Sequence, residues 1–142
     1  MTDILLFNVN IVTPTELIAH GAVGISQGMI NYVGSIENAP DNYAKKINLF
    51  GKYLAPGLID MHVHGGNGIS FEQPSNLEQD LQTYSNWVVS TGVTHYLCSI
   101  AAPDAQALVE SIKRYVNIFE KGIKGAQPIG LHLEGPFLNK EK

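Results

Sequence analysis

The chain has 142 residues, of which 44% are hydrophobic and 15% charged, and its formal net charge is -4 at pH 7. This length and composition are typical of a folded domain and exclude a disordered or fibrous chain. The acidic balance, with no basic run longer than Lys45-Lys46, argues against nucleic-acid and membrane partners. No signal segment opens the chain and no apolar run approaches membrane-spanning length, which predicts a cytoplasmic protein.

The first part of the chain has the pattern of a small β unit. Short apolar runs such as ILLFNVNIV, GAVGIS and MINYVGSI follow one another from Asp3 to about Phe50, separated by Gly, Asn, Pro and Ser. This pattern predicts short antiparallel strands joined by turns. We therefore predict one region over residues 1–52 and a second over residues 53–142.

From Tyr53 the pattern changes to alternating strands and helices. Strands are predicted in YLAPGLIDMHVHG, VTHYLCSIA and QPIGLHLEGPF. Helices are predicted in PSNLEQDLQTYSNWVVSTG and PDAQALVESIKRYVNIFEKG, where apolar residues recur at helical spacing and a glycine follows the last turn. Alternating strands and helices predict parallel βαβ units with right-handed crossovers, and hence an α/β fold.

Two histidines lie at the end of the first of these strands. Because side chains alternate along a strand, Asp60, His62 and His64 are predicted on one face, with Met61 and Val63 on the other. Neutral imidazole is a good ligand for divalent metals such as Zn²⁺ and Fe²⁺, so the His-x-His pair predicts a metal site. Hydrogen-bonded histidines without an ion are the alternative. Asp60 either orients a ligand imidazole or belongs to a turn.

The third strand carries His132 and Glu134 on one face, with Glu134 at its C-terminal tip. In a (β/α)₈ barrel the catalytic groups lie at the C-terminal ends of the strands, so both motifs are predicted to reach the same rim. The alternative for Glu134 is a carboxylate that caps the following turn. His132 is more simply a core histidine.

Other residues have structural interpretations. His20 and His95 are interpreted as structural histidines, and Cys98, the single cysteine, as a small buried hydrophobe. Trp87 is expected to pack a helix on the sheet. The glycine-rich stretch 65–68 is not followed by the lysine or the helix-opening glycines of a phosphate loop.

The two motifs resemble known sequences. LAPGLIDMHVHG resembles the opening barrel strand of the amidohydrolase superfamily, and GLHLEGPFLN resembles a motif of the N-acetylglucosamine-6-phosphate deacetylase family within it. Dihydroorotases and related enzymes share the first motif but usually place a lysine, often carboxylated, where Glu134 stands here. The resemblance implies the first three βα units of a metal-dependent (β/α)₈ TIM-type barrel, preceded by part of a small β-sandwich.

The resemblance also implies an activity and its ligands. The activity is hydrolysis of N-acetylglucosamine 6-phosphate, an amino-sugar phosphate, to glucosamine 6-phosphate and acetate, by a homodimer that uses one or two Zn or Fe ions. Glu134 would be the metal-bridging ligand, and His62 with His64 would hold a second ion. In the family the other histidine ligands and the aspartate that acts as general acid and base come from later strands, outside residues 1–142.

Length adds a further expectation. A full (β/α)₈ barrel takes about 250 residues, so we expect this chain to be the N-terminal portion of the enzyme and to be inactive in isolation. Two alternatives stay open. One is another amidohydrolase that acts on a cyclic amide, such as a dihydroorotase-like enzyme, and the other is a noncatalytic metal-binding module.

Overall fold

The computed structural model describes residues 3–137 together with Asn139 and Glu141. Contacts divide the chain into two compact units, with the division between Pro56 and Gly57. No helix among the described residues combines the length and the apolar character that crossing a membrane requires. The chain is of mixed α/β structure, as the sequence predicted.

The first unit is a five-stranded sheet in the order β3-β2-β1-β4, with β5 also paired to β1. Its strands are β1 (Ile4–Val12), β2 (Leu17–Ser26), β3 (Met29–Ser35), β4 (Lys45–Asn48) and β5 (Tyr53–Leu54). Its buried side chains form two clusters, one of Leu5, Ala22 and Tyr43 and the other of Val9, Ile11 and Val23.

The pairing in this sheet differs in part from the sequence prediction. β1, β2 and β3 are antiparallel neighbours, as predicted, but β4 and β5 run parallel to β1. The reason is the connection over residues 36–44. β3 runs in the same direction as β1. The connection passes from β3, at one edge of the sheet, to β4, beside β1, and β4 starts from the same end of the sheet as β1 and β3. The predicted strand YLAPGLIDMHVHG is also divided, because β5 pairs in this first sheet.

The second unit contains a three-stranded parallel sheet in the order β10-β9-β6, with a helix in each connection. Its elements are β6 (Leu58–Val63), β7 (Gly65–Gly66), β8 (Ile69–Ser70), α1 (Leu77–Val88), β9 (Val93–Ile100), α2 (Ala105–Lys121) and β10 (Gln127–Leu133). β7 and β8 form a small antiparallel hairpin. The predicted succession of parallel strands and helices is therefore confirmed.

Both helices begin at a side-chain cap. The Asn76 side chain accepts a hydrogen bond from the Gln79 amide, and Asp104 accepts one from the Ala107 amide at 2.8 Å. Such caps satisfy amide groups that the first turn leaves without helical partners. Gly122 directly follows α2, and Gly92 follows a 3-10 turn, Val89–Thr91, that continues α1; their φ angles are 83° and 88°, which glycine adopts without steric cost. The predicted glycine stops are confirmed.

The core of the second unit lies between its sheet and its two helices. We call this cluster the helix-side core; its buried members are Phe71, Leu77, Leu81, Tyr84, Val88, Tyr96, Cys98, Ile100, Tyr115, Ile118, Ile123 and Ala126. Burial raises the pKa of the Cys98 thiol, so this cysteine is uncharged at neutral pH and packs as a small hydrophobe, as predicted. Trp87 packs against Tyr84, with 5.7 Å between ring centroids.

Leu81 tests the contribution of the helix-side core. Its side chain is fully buried, so Leu81→Ala should lower the free energy of unfolding by about 2–5 kcal/mol through lost burial and the resulting cavity. Denaturation in urea measures the change. Val109→Ala, on the exposed side of α2, is the control and should change stability by about 0.5 kcal/mol or less. Equal losses in the two variants would contradict this assignment of the core.

Candidate metal centre

A β-bulge lies in β6 between Asp60 and Val63 and includes the first of the two histidines, His62. Asp60 pairs with Tyr96 of β9, whereas Val63 pairs with Cys98, so three residues of β6 span the distance of two in β9. Tyr96 and Cys98 both belong to the helix-side core, and directly paired residues of neighbouring strands share a face of the sheet. Asp60 and Val63 therefore lie on the helix side of the sheet.

The bulge corrects the predicted alternation at Asp60. Strict alternation placed Asp60 on the face of His62 and His64, but the extra residue shifts the phase between them. The Asp60 carboxylate accepts a hydrogen bond from the main-chain amide of His62 at 3.2 Å and contributes to the raised pKa of Tyr84, about 12, whose main cause is burial. Asp60 thus bonds the main chain of the bulge rather than an imidazole ring.

The three predicted site residues lie close together. His62 Nε2 and His64 Nε2 are 3.2 Å apart. The Glu134 carboxylate oxygen Oε2 lies 3.1 Å from His64 Nε2 and 3.6 Å from His62 Nε2. Among the described residues, this is the one group of three or more His, Cys, Asp and Glu side chains whose geometry suits a metal ion. The main chain of Glu134 is fixed by its amide, which donates to the carbonyl of Ile100 at the end of β9.

The spacing of these three atoms fits a tetrahedral ion. Two ligand atoms about 2.1 Å from a tetrahedral metal are separated by about 3.4 Å. The three separations observed, 3.1, 3.2 and 3.6 Å, scatter around that value. Imidazole nitrogen and carboxylate oxygen are also the donors that Zn²⁺ and Fe²⁺ accept. The side chains present therefore suit such an ion in both spacing and chemistry.

Glu72 is a fourth member of the site, which the sequence analysis did not single out. Its Oε1 atom lies 3.0 Å from Nδ1 of His64, on the other side of the ring from Glu134. A signal for it was present in GGNGISFE. Asn67-Gly68 is the turn dipeptide of a two-residue hairpin, and both residues have positive φ angles, 52° and 81°. That hairpin returns the chain to His64.

Both ring nitrogens of His64 lie next to a carboxylate oxygen, Nδ1 next to Glu72 and Nε2 next to Glu134. A carboxylate can only accept a hydrogen bond, and a neutral imidazole has one N–H, so the ring can donate to Glu72 or to Glu134 but not to both. With the proton on Nδ1, toward Glu72, the lone pair of Nε2 faces the Glu134 oxygen, a second acceptor, at 3.1 Å. Two facing acceptors repel each other unless a proton or a cation lies between them. A divalent cation at this position removes the repulsion.

His132 lies beside the cluster. Its Nδ1 is 3.1 Å from the Ser99 hydroxyl of β9, and its ring meets that of His62 edge to face, with centroids 4.2 Å apart. The sequence predicted a core histidine at this position, and the structure gives it a side-chain hydroxyl as hydrogen-bond partner. His95 is hydrogen-bonded to Thr94, and His20 lies exposed on β2 of the first sheet.

The chain is similar, in sequence and in structure, to N-acetylglucosamine-6-phosphate deacetylases. The chain is 33% identical, over 99% of its length, to the N-acetylglucosamine-6-phosphate deacetylase of Bacillus subtilis, and 32% identical, over 65% of its length, to that of Homo sapiens. The crystal structure of N-acetylglucosamine-6-phosphate deacetylase from Pasteurella multocida matches 98% of the chain with a TM-score of 0.83 and 25% identity. No family model matches the chain.

The chain matches only about a third of the length of these relatives. The chain spans 36% of the Bacillus subtilis relative and 36% of the Pasteurella multocida structure. The deacetylase from Thermotoga maritima, with a TM-score of 0.72 and 25% identity, is covered to 33%. The similarity indicated by the two sequence motifs is thus confirmed, over about a third of the length of these relatives.

Proposed function

We propose, from the relationship of this chain to N-acetylglucosamine-6-phosphate deacetylases over nearly its whole length, that it forms a metal-binding part of such an enzyme. The reaction is hydrolysis of N-acetylglucosamine 6-phosphate to glucosamine 6-phosphate and acetate. The observation that carries this proposal is the convergence of His62, His64 and Glu134 at the ends of two strands of a sheet that matches deacetylase structures.

The three residues have distinct roles in the proposed site. When bound, a divalent metal supplies hydroxide at neutral pH and stabilises the oxyanion that develops on the amide. His62 and His64 donate imidazole nitrogens to it. Glu134 would hold the ion with a negative charge from the other strand, and would be the bridging ligand if two ions were bound. We propose Zn²⁺ or Fe²⁺ as the ion, with one or two per site, because imidazole and carboxylate ligands suit both metals.

The position of His62 and Glu134 near strand ends supports a barrel enzyme. We propose that β6, β9 and β10, with α1 and α2, are the first βα units of a (β/α)₈ barrel, in which catalytic groups lie at the C-terminal ends of the strands. His62 lies near that end of β6, and Glu134 immediately follows β10. The sheet before Gly57 would then be part of a small β-sandwich. Groups that bind the sugar phosphate and move protons would come from other parts of the enzyme.

Two other functions fit these observations less well. A dihydroorotase-like enzyme acting on a cyclic amide is less well supported, because a glutamate rather than a lysine stands at the bridging position. A noncatalytic metal-binding module needs the same three ligands but leaves the similarity to deacetylases without a function. We further propose a cytoplasmic homodimer that acts on a small amino-sugar phosphate, with neither nucleic acid nor membrane as a partner.

The paired histidines test the metal site. Changing His62 to Gln and His64 to Asn together in the complete enzyme should lower the bound metal per protomer while leaving part of the deacetylase activity, because Glu134 remains. Elemental analysis after dialysis measures the ratio. The control is His20→Gln, which changes an exposed histidine of the first sheet and should leave metal content unchanged. Equal metal content in the double variant and the parent would remove both histidines from the ligand set.

Glu134 and the choice of substrate test the reaction. The complete enzyme should release acetate from N-acetylglucosamine 6-phosphate far faster than it opens dihydroorotate.

Glu134→Gln should lower kcat on the order of 100-fold or more, since a weakened metal site is expected to remove several kcal/mol of transition-state stabilisation. Glu78→Gln, which alters an exposed ion pair with Lys121, is the control and should retain activity. Preference for the cyclic amide would overturn the deacetylase proposal.

A further inference from the structure

We propose that Glu72 is a positioning residue for His64. Its carboxylate holds the imidazole as the Nδ1–H tautomer and directs Nε2 toward Glu134 and His62. The observation is the 3.0 Å contact between Glu72 Oε1 and His64 Nδ1, opposite the 3.1 Å contact between His64 Nε2 and Glu134 Oε2. The inference rests on the proposed function only in taking His64 as a metal ligand.

The main chain brings Glu72 back to His64 by a tight hairpin. β7 and β8 pair antiparallel around the Asn67-Gly68 turn, with Gly65 opposite Ser70. Gly65 has a φ of +121°, and a Cβ there would lie 2.2 Å from the carbonyl oxygen of Ile69. Glycine is therefore required for the strands to approach so closely. The closing hydrogen bond joins the amide after Ser70 to the carbonyl of His64 itself.

Phe71 then fixes the position from which Glu72 extends. Its amide donates to the carbonyl of His64 at 2.9 Å, and its carbonyl accepts a hydrogen bond from the Tyr115 hydroxyl of α2. Its ring is 2% exposed and lies in the helix-side core, 4.9 Å from the ring of Tyr84. Glu72 thus follows a residue held by both main-chain groups and by its side chain. Such support is what keeps a ligand-orienting group in place.

The geometry separates this role from two simpler ones. Glu72 contacts the ring nitrogen of His64 that points away from Glu134, so it is not a ligand to the same ion as His64 Nε2. It also does more than cap the hairpin, since its carboxylate bonds an imidazole rather than an amide. A carboxylate on the distal nitrogen of a metal-binding histidine fixes the tautomer and makes the other nitrogen more basic.

The tautomer of His64 tests the inference without reference to catalysis. In metal-free protein with ¹⁵N-labelled histidine, long-range ¹H–¹⁵N spectra should show His64 protonated at Nδ1, its signals being assigned from their loss in a His64→Gln variant. Glu72→Leu should move His64 toward the Nε2–H form, which is the commoner form of a free imidazole. Glu72→Gln keeps the shape and a carbonyl acceptor, so it should give an intermediate result and guard against loss of the hairpin.

Metal affinity provides the second measurement. Glu72→Leu should bind Zn²⁺ about 10- to 100-fold more weakly in competition with a chromophoric chelator, and Glu72→Gln should lose less. Glu78→Leu, at an exposed position of α1, is the matched control and should keep the parental tautomer and affinity. Circular dichroism and thermal unfolding verify that each variant compared is folded.

The outcomes are distinguishable. Loss of the Nδ1–H form together with weaker Zn²⁺ binding supports the positioning role. An unchanged tautomer in folded Glu72→Leu protein overturns it, even if affinity falls, because Glu72 would then act by charge alone. Unchanged affinity also overturns it. A parent enzyme that shows the expected tautomer and binds Zn²⁺ but releases no acetate would refute the deacetylase proposal and leave this inference intact.

Discussion

The candidate site depends on the distance that β9 imposes between the two strands that carry its ligands. β6 and β10 are not neighbours but flank β9, and adjacent strands lie about 4.8 Å apart, so the two outer strands are about 10 Å apart. Only long side chains meet across such a gap. His62 and Glu134 are long enough, and β9 presents a short residue, Ser99, between them. The His132 ring contacts both, meeting His62 edge to face and lying within hydrogen-bond distance of the Ser99 hydroxyl.

The helix side of the same sheet explains why this geometry is stable. Val63 and Leu131 flank Cys98 and pack against the helix-side core, so the strand ends are held from behind by buried apolar contacts. Burial of that kind is the main favourable contribution to folding, whereas contacts between half-exposed polar groups contribute little. The charged face is therefore positioned by the apolar face.

Much of this arrangement could be predicted from residue patterns, and the failures have physical causes. Periodicity and glycine stops located both helices, and the His-x-His and Leu-His-Leu-Glu runs located the three candidate ligands near strand ends. Alternation failed at Asp60, because a bulge is a register difference between two strands and leaves no mark in one of them. The parallel pairing of β4 and β5 was missed for a similar reason, since strand direction depends on how a connection crosses the sheet.

Glu72 illustrates a different limit. Glu72 reaches the site through a local turn, and the Asn-Gly dipeptide of that turn can be recognised in the sequence. The contact between Glu72 and His64, however, is seen only in the folded hairpin. The glycine-rich stretch after the strand then has a specific function. It is too short to form a phosphate loop or a lid, and its close-packed main chain carries a carboxylate back to the histidine that precedes it. The bulge that includes His62 and the hairpin that follows His64 thus both act on the His-x-His motif. The first sets the face on which the imidazoles lie, and the second sets which nitrogen of His64 is free to bind.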